Sequence, residues 1–445
     1  MMDNTELRSW PLQQQLTTLY GPLRRRPAAK RLSTLLARFR ELYGRLDARD
    51  LVISAPGRTE LAGNHTDHNH GRVIAAAVDL DVLGVIHPRG DRTVRIHSEG
   101  YRGEFVLELD DLLPREQERG RFEALVRGVA AGLADAGFAI DGFDCCMHST
   151  VGAGSGLSSS AAVEVFTVAA LCCAAGTRPP KPAQSALIAQ RAENHFFGKP
   201  CGLMDQLACS HGGAIAIDFA PAAELAITPL RFTPREAGYE LLVVESGADH
   251  DDLTEEYAAV PAEMRAVAAL LGAGTLRSVP CTTFFEAIPQ LRNRLHERPI
   301  LRAMHYFEEN RRVQRQVSAL EAGDFAAFLE LVRQSGSSSW RLLQNCTTAS
   351  HGKRQQLALA LALSEQIIPE GAWRVHGGGF AGTMQAYVPQ HRLDDYVSEI
   401  GRVFGVRAAT TLSIREYGPV VLGSALDVQQ ALESLPAFEE DRVQP

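Results

Sequence analysis

The sequence predicts an α+β protein in two domains, with mixed sheets backed by helices and the active site between the domains. Three observations predict it. Up to about residue 220, strand-like and helix-like segments mix without strict alternation, which argues against a doubly wound parallel sheet. Near residue 225 the pattern changes to a long helical region that returns to strands. No long Gly, Ser or Pro linker separates the halves, so they are expected to pack tightly around a shared site. A chain of 445 residues is long enough for two or three domains. The expected boundaries are an N-terminal extension over 1–30, an N-terminal domain over 31–224 and a C-terminal domain over 225–445.

The elements follow in order. Over 31–46, Leu32, Leu35, Leu36, Phe39, Leu42, Tyr43 and Leu46 recur at helical spacing and predict an amphipathic helix. LVISAPGR reads as a short strand ending at a Pro56-Gly57 turn. RVIAAAVDLDVLGVIHPR reads as one or two buried strands. TVRIHSEG and EFVLELDD alternate in polarity and read as paired strands. Residues 121–137 carry Phe122, Leu125, Val126, Val129 and Leu133, a second amphipathic helix. FDCCMHST is a strand, and a Gly/Ser loop then runs into an apolar helix. A further helix over 183–197 precedes the strand GGAIAIDF. After residue 225 come the strand ELLVVESG, helices over 253–272 and about 283–345, and the strands WRVHGGGF, GTMQAYVP and RAATTLSIRE.

Composition removes several classes of function. Hydrophobic residues make up 45% and charged residues 22%, as in an ordinary globular protein. A net charge of −8 argues against a nucleic-acid partner, whose binding face would be basic. The 8 Cys form no C-x-x-C pair, so zinc spacing is absent and reduced buried thiols are expected. The N-terminus has no signal-peptide pattern, and no apolar run reaches the ~20 residues that span a bilayer. A cytoplasmic protein with no membrane partner is the expectation, and the sequon Asn64-His65-Thr66 then carries no glycan. The basic run RRRPAAKR over 24–31 reads as a solvated link before a helix rather than an anion site or a localisation signal.

Four segments carry chemistry. GAGSGLSSSAA, over 152–162, joins a strand to an apolar helix. Its glycines let backbone N–H groups converge, and the helix start favours anions, so it suits phosphate. It lacks the Lys of a Walker loop. In NHFFGKPCGLMDQLACS, Asp205 lies among apolar residues, where a carboxylate must be paired or functional. Glu193 lies on the preceding helix. GGGFAG, over 377–382, places glycines in a strand context, which suggests close approach of a ligand or another backbone. GRTELAGNHTDHNHG, over 57–71, packs His65, Asp67, His68 and His70 together. Read alone, that stretch is open to a metal site or a substrate pocket.

Together the four segments resemble the GHMP sugar kinases and, within them, the galactokinase family. The family's first motif runs Gly-Arg-Val-Asn-Leu-Ile-Gly-Glu-His-Thr-Asp-Tyr-Asn-Gly-Gly, close to GRTELAGNHTDHNHG. SGLSSSA, GLMDQ and GGGFAG match its other motifs in order, and the likeness runs from about residue 39 to 418. The resemblance implies a two-domain GHMP kinase architecture. It also implies an ATP-dependent kinase that phosphorylates the anomeric hydroxyl of galactose. ATP would be wrapped by Gly154, Ser155, Gly156, Leu157, Ser158, Ser159 and Ser160, and Mg2+ would be held by Ser160 and Glu193. Asp205 would act on the sugar hydroxyl as base or electrostatic anchor, with Arg58 pairing it and stabilising the transferring charge. Asn64, His65, Thr66, Asp67 and Tyr257 would grip the sugar, and the enzyme would work as a monomer.

The departures fall on the sugar side. Asn64 stands where the family has a sugar-binding Glu, His68 where it has Tyr and His70 where it has Gly. Gly152 replaces the Pro that opens the second motif. Ala258, Val260 and Pro261 replace the Asn and paired Arg after Tyr257, and Thr-Thr-Ala-Ser after Cys346 replaces Pro-Glu-Leu-Asp. These changes leave open another sugar (an amino sugar, arabinose or fucose) or a sensor that binds sugar and ATP without catalysis.

Overall fold

The computed structural model describes residues 7–44, 46–152, 157–221, 225–247, 254–347, 355–380 and 382–434. Helix α1 spans Leu12–Tyr43, starting well before the expected residue 31. It is broken at Gly21, whose φ of 69° suits a residue without a Cβ, and Pro22 follows. Leu12, Leu16, Leu19, Leu32, Leu35 and Phe39 of this helix share a buried cluster with Val52, Val85 and Leu422. Residues 12–30 are therefore built into the core rather than appended to it.

The basic run is not a solvated link. Arg24 Nε lies 3.3 Å from Asp79 Oδ2, and Arg31 pairs with Asp81 and donates to Thr150 Oγ1 at 3.0 Å. Asp79 and Asp81 are buried in the sheet, where a carboxylate needs a partner, and the helix supplies it. Tyr20 also donates to Asp81 at 2.6 Å, and Arg415 approaches it to 3.6 Å.

The first sheet contains β1 Leu51–Ala62, β2 Arg72–Pro88, β3 Thr93–Ser98, β4 Phe105–Glu108 and β5 Phe143–Ser149. With it go β6 Ala214–Asp218, β7 Ala226–Leu230 and a late strand, Val420–Ser424. Among the described residues only the β3–β5 pairing is parallel. β1 does not stop at the expected Pro56-Gly57 turn. It runs on through a bulge there, because strand β2 is long enough to pair along both halves of it. Helices α2 Phe122–Asp135, α3 Ser159–Ala174, α4 Pro182–Arg191 and α5 Met204–His211 belong to this half. The helix expected over 183–197 ends early and continues as a π-helical turn, Ala192–Phe197.

The second sheet is smaller. It contains β8 Tyr239–Glu245, β9 Ala372–Val375, β10 Thr383–Pro389 and β11 Ala409–Leu412, in the order β11-β8-β10-β9. The helical region is α6 Thr254–Leu270, α7 Cys281–Arg292, α8 Glu297–Glu321 and α9 Phe325–Ser338. It breaks after Arg292 and at Gly323, where Asp324 caps α9 by accepting from the Ala327 N–H at 2.9 Å. Helices α10 Gln356–Ile367 and α11 Leu393–Phe404 flank the second sheet. Strand β12, Val420–Ser424, then returns to pair with β1, and α12 Ala425–Ser434 packs on α1. Because β7 and β12 lie in the first sheet, a cut at residue 225 does not follow the division between sheets. Among the described residues no helix is long and apolar enough to cross a membrane.

Candidate active site

The β1 bulge builds the first contact. A Cβ on Gly57 would press on Val151 at 3.0 Å and on the Leu157 carbonyl at 3.2 Å. The glycine therefore lets the Ser-rich segment close over the strand, and the Arg58 N–H donates to the Leu157 carbonyl at 3.3 Å. Arg58 then reaches across to the first turn of α5. Its Nε donates to Asp205 Oδ1 and its Nη2 to Oδ2, both at 2.7 Å, a bidentate fork. The Ser158 hydroxyl also donates to Asp205 Oδ2. Burial pushes the Asp205 carboxyl up, but Arg58, Ser158 and Lys199 outweigh it and leave its pKa below the usual value. Asp205 is thus an anion in a half-buried site, with acceptor capacity beyond the three bonds it makes.

Helix α3 opens at the same place. Ser158 takes the left-handed conformation, with φ of 54°, and its hydroxyl serves Asp205 instead of capping the helix. Such a strained residue is characteristic of functional sites. Ser160 donates to Glu193 Oε1 at 2.9 Å, and Glu193 is held in the π-helical turn, a feature frequent at functional sites. Gly154, Ser155 and Gly156 lie outside the described residues. Leu157 is buried and Ser159 begins the helix.

Three neighbours went unmarked in the sequence. Glu164 is wholly buried on α3, and Gln206 Nε2 bridges it to Glu193, at 3.2 Å from Glu164 Oε2 and 2.8 Å from Glu193 Oε2. Burial, then the negative Glu193, pushes the Glu164 carboxyl well above its usual value. Lys199 Nζ stands 3.7 Å from Glu193 Oε1. The available signals were a lone acid inside the apolar run AAVEVFTVAAL and a cation in the loop before GLMDQ.

The far end of the first motif has a different fate. Asn64, expected to face the sugar, is fully buried. Its Nδ2 donates to Glu60 Oε1 at 3.1 Å and to the Gly377 carbonyl at 2.6 Å, and its Oδ1 accepts from Asn345 Nδ2 at 2.9 Å. Thr66 Oγ1 lies 2.6 Å from the Arg72 carbonyl and 2.9 Å from that of Gly63, so its one hydrogen serves the turn. His65 has φ of 57° and its Nε2 lies 2.8 Å from the Gly378 carbonyl. Burial, then His68, lowers its pKa to about 3, so it is neutral. Tyr257 donates to the Gly379 carbonyl at 3.0 Å, and its ring occupies the space a Cβ on Gly378 would need. That close approach is the reason for glycine in GGGF.

Asp67 is the member of the turn that lies toward the Asp205 segment. Its Oδ2 lies where a Cβ on Gly202 would fall, three residues before Asp205. Behind the turn, buried Glu60 pairs with buried Arg374, and Thr59 Oγ1 meets His376 Nε2 at 2.9 Å. The histidines of 65–70 join no metal cluster among the described residues. Among the described residues the one group of acids and His close enough to share an ion is Asp47, Asp50 and His87.

Comparison with known proteins identifies the family. Residues 37–88 match the galactokinase galactose-binding signature, and 124–213 match the GHMP kinases N-terminal domain. Galactokinase of Streptomyces coelicolor is 34% identical over 379 residues, covering 83% of this chain and 92% of that protein. Galactokinase of Chloroflexus aggregans is 33% identical, covering 86% and 94%. Among solved structures, Lactococcus lactis galactokinase complexed with galactose shares the fold at a TM-score of 0.75, with 24% identity over 88% of this chain and 99% of that one. A mevalonate kinase matches at a TM-score of 0.60 and 15% identity. With such identity over nearly the whole length of its relatives, and with the motifs meeting across one seam, this chain belongs to the galactokinase family of GHMP kinases.

Proposed function

We propose that the chain transfers the γ-phosphoryl group of ATP to the anomeric hydroxyl of galactose, giving galactose 1-phosphate and ADP. The observation that carries the reading is the Asp205 carboxylate, clamped by Arg58 and kept ionised beside the Ser-rich helix start. Asp205 takes or orients the proton of the attacking hydroxyl, and Arg58 stays beside the charge that moves in transfer. The Ser159 hydroxyl and the α3 N-terminus receive phosphate oxygens, while Ser158 and Ser160 give their hydrogens to Asp205 and Glu193. Asp67 accepts from neighbouring sugar hydroxyls, and Tyr257 borders the sugar on the other side.

Ser160 and Glu193 are the residues that would hold magnesium. They offer oxygen donors only, as that ion demands, and the partnerless Glu164 Oε1 lies buried in the same cluster. When bound, magnesium neutralises phosphate charge. Asn64 favours a second reading on the sugar side: its amide is spent within the protein, so it presents no acceptor where the family has a carboxylate, and another aldose is then preferred.

An aldose panel at fixed Mg-ATP, with products read by phosphorus NMR, tests both. Galactose converted to an anomeric phosphate with the highest kcat/KM supports the first reading. Preference for another sugar supports the second, and ATP bound without any sugar phosphate formed rejects both.

A further inference from the structure

We infer that Lys199 is a further catalytic residue of this site, a cation that meets the γ-phosphate as it is transferred. The inference rests on the kinase reading above. Three acids, Glu164, Glu193 and Asp205, crowd the start of α3. Arg58 gives Nε and Nη2 to Asp205. Lys199 is the second cation of the cluster. Its Nζ stands 3.7 Å from Glu193 Oε1, and its charge also reaches Asp205 and Glu164.

The root of Lys199 is fixed and its tip is not. The N–H groups of Gly198 and Lys199 both donate to the Glu193 carbonyl, at 3.0 and 3.1 Å, with Gly198 at φ of 88° closing the π-helical turn. The Lys199 side chain is 66% exposed, so its pair with Glu193 is long, hydrated and weak. A cation in that position has three donors on a flexible stem, suited to a phosphate as a point charge. With a metal ion held by Glu193, the ammonium would be displaced from that carboxylate and would be free to meet the terminal phosphate of a bound nucleotide. Phosphoryl transfer gains from charge placed there, because the reaction is governed by positioning and electrostatics.

The test uses the full chain with Lys199→Gln and Lys199→Arg. Calorimetry with magnesium compares a β,γ-imido analogue of ATP with ADP, and steady-state kinetics follow kcat and the two KM values. For Lys199→Gln we expect analogue affinity and kcat each to fall on the order of tenfold, less than for a water-excluded donor. ADP affinity, sugar KM and Tm stay unchanged, and Lys199→Arg restores most of the loss. An unchanged ratio of analogue to ADP affinity, with kcat close to wild type, overturns the inference. Wild-type protein that binds the analogue but phosphorylates no sugar removes the kinase reading, and the affinity ratio still decides whether Lys199 meets the γ-phosphate. Wild-type protein that binds no nucleotide removes both.

Discussion

Residues 57–71 serve two regions of opposite character. At the Arg58 end, polar groups surround Asp205 and keep capacity for a substrate: a half-buried anion, the Ser159 hydroxyl and an exposed lysine, while Ser158 and Ser160 give their hydrogens to Asp205 and Glu193. At the Asn64 end, the same kinds of side chain are consumed by the protein. Asn64, His65 and Thr66 all bond backbone or buried side chains, and three neutral histidines, His65, His305 and His376, line the seam between the halves. One end leaves polar capacity open and the other joins two sheets. The difference lies in whether each group's hydrogen-bonding capacity is left open or filled, not in residue type.

The largest expected effect breaks the Arg58 end. Arg58→Met should lower kcat by roughly 10²–10³-fold, as when a preorganised donor is removed. Burial then acts on Asp205 unopposed by the guanidinium, so the acid limb of the pH-rate profile should move to higher pH. Arg374→Met attacks the other end. It leaves Glu60 buried without its cation, and urea unfolding should show a loss of about 3–5 kcal/mol. Asn64→Glu is the sharper probe of the comparison. The new carboxylate meets Glu60 Oε1 and the Gly377 carbonyl, both acceptors, and should cost about 1–3 kcal/mol. Unchanged stability with tighter galactose binding would show that position 64 faces the sugar after all.

The smallest effect is a slope with pH. His65 titrates near 6.5 unfolded and near 3 folded, so the unfolded state binds more protons between those values. Stability is therefore full above pH 6.5 and falls as pH drops toward 3, by about 2 kcal/mol at pH 5. His305 and His376 act in the same direction. Asp79, raised by burial to about 6, opposes them, since its share of stability falls as pH rises from 3.8 to 6. His65→Asn, which tolerates the positive φ, should flatten the acid slope in unfolding curves taken from pH 7 to 5.

Much of this was legible in the residues. The α+β class and the order of strands and helices follow from local patterns, and the family resemblance implied the pairing of Arg58 with Asp205 and put Ser160 together with Glu193. What escaped has physical causes. Pro56-Gly57 signals a turn, yet the strand runs on through a bulge there because a long partner strand continues beside it. RRRPAAKR looks solvated because its partners, Asp79 and Asp81, are distant in sequence and buried. Asn64 and Thr66 sit where sugar-gripping groups are expected, and only the tertiary arrangement shows their bonds closed on Gly377 and Arg72. Glu164 was an acid within an apolar run, a visible signal whose partner Gln206 only the fold supplies, as it supplies Arg374 to Glu60.

The most direct test of the central claim is Asp205→Asn, assayed with galactose and Mg-ATP beside calorimetric binding of each. The account predicts that both ligands still bind and the protein stays folded while kcat falls by roughly 10²–10⁴-fold, the range of a lost acid-base group. Turnover close to wild type would contradict it.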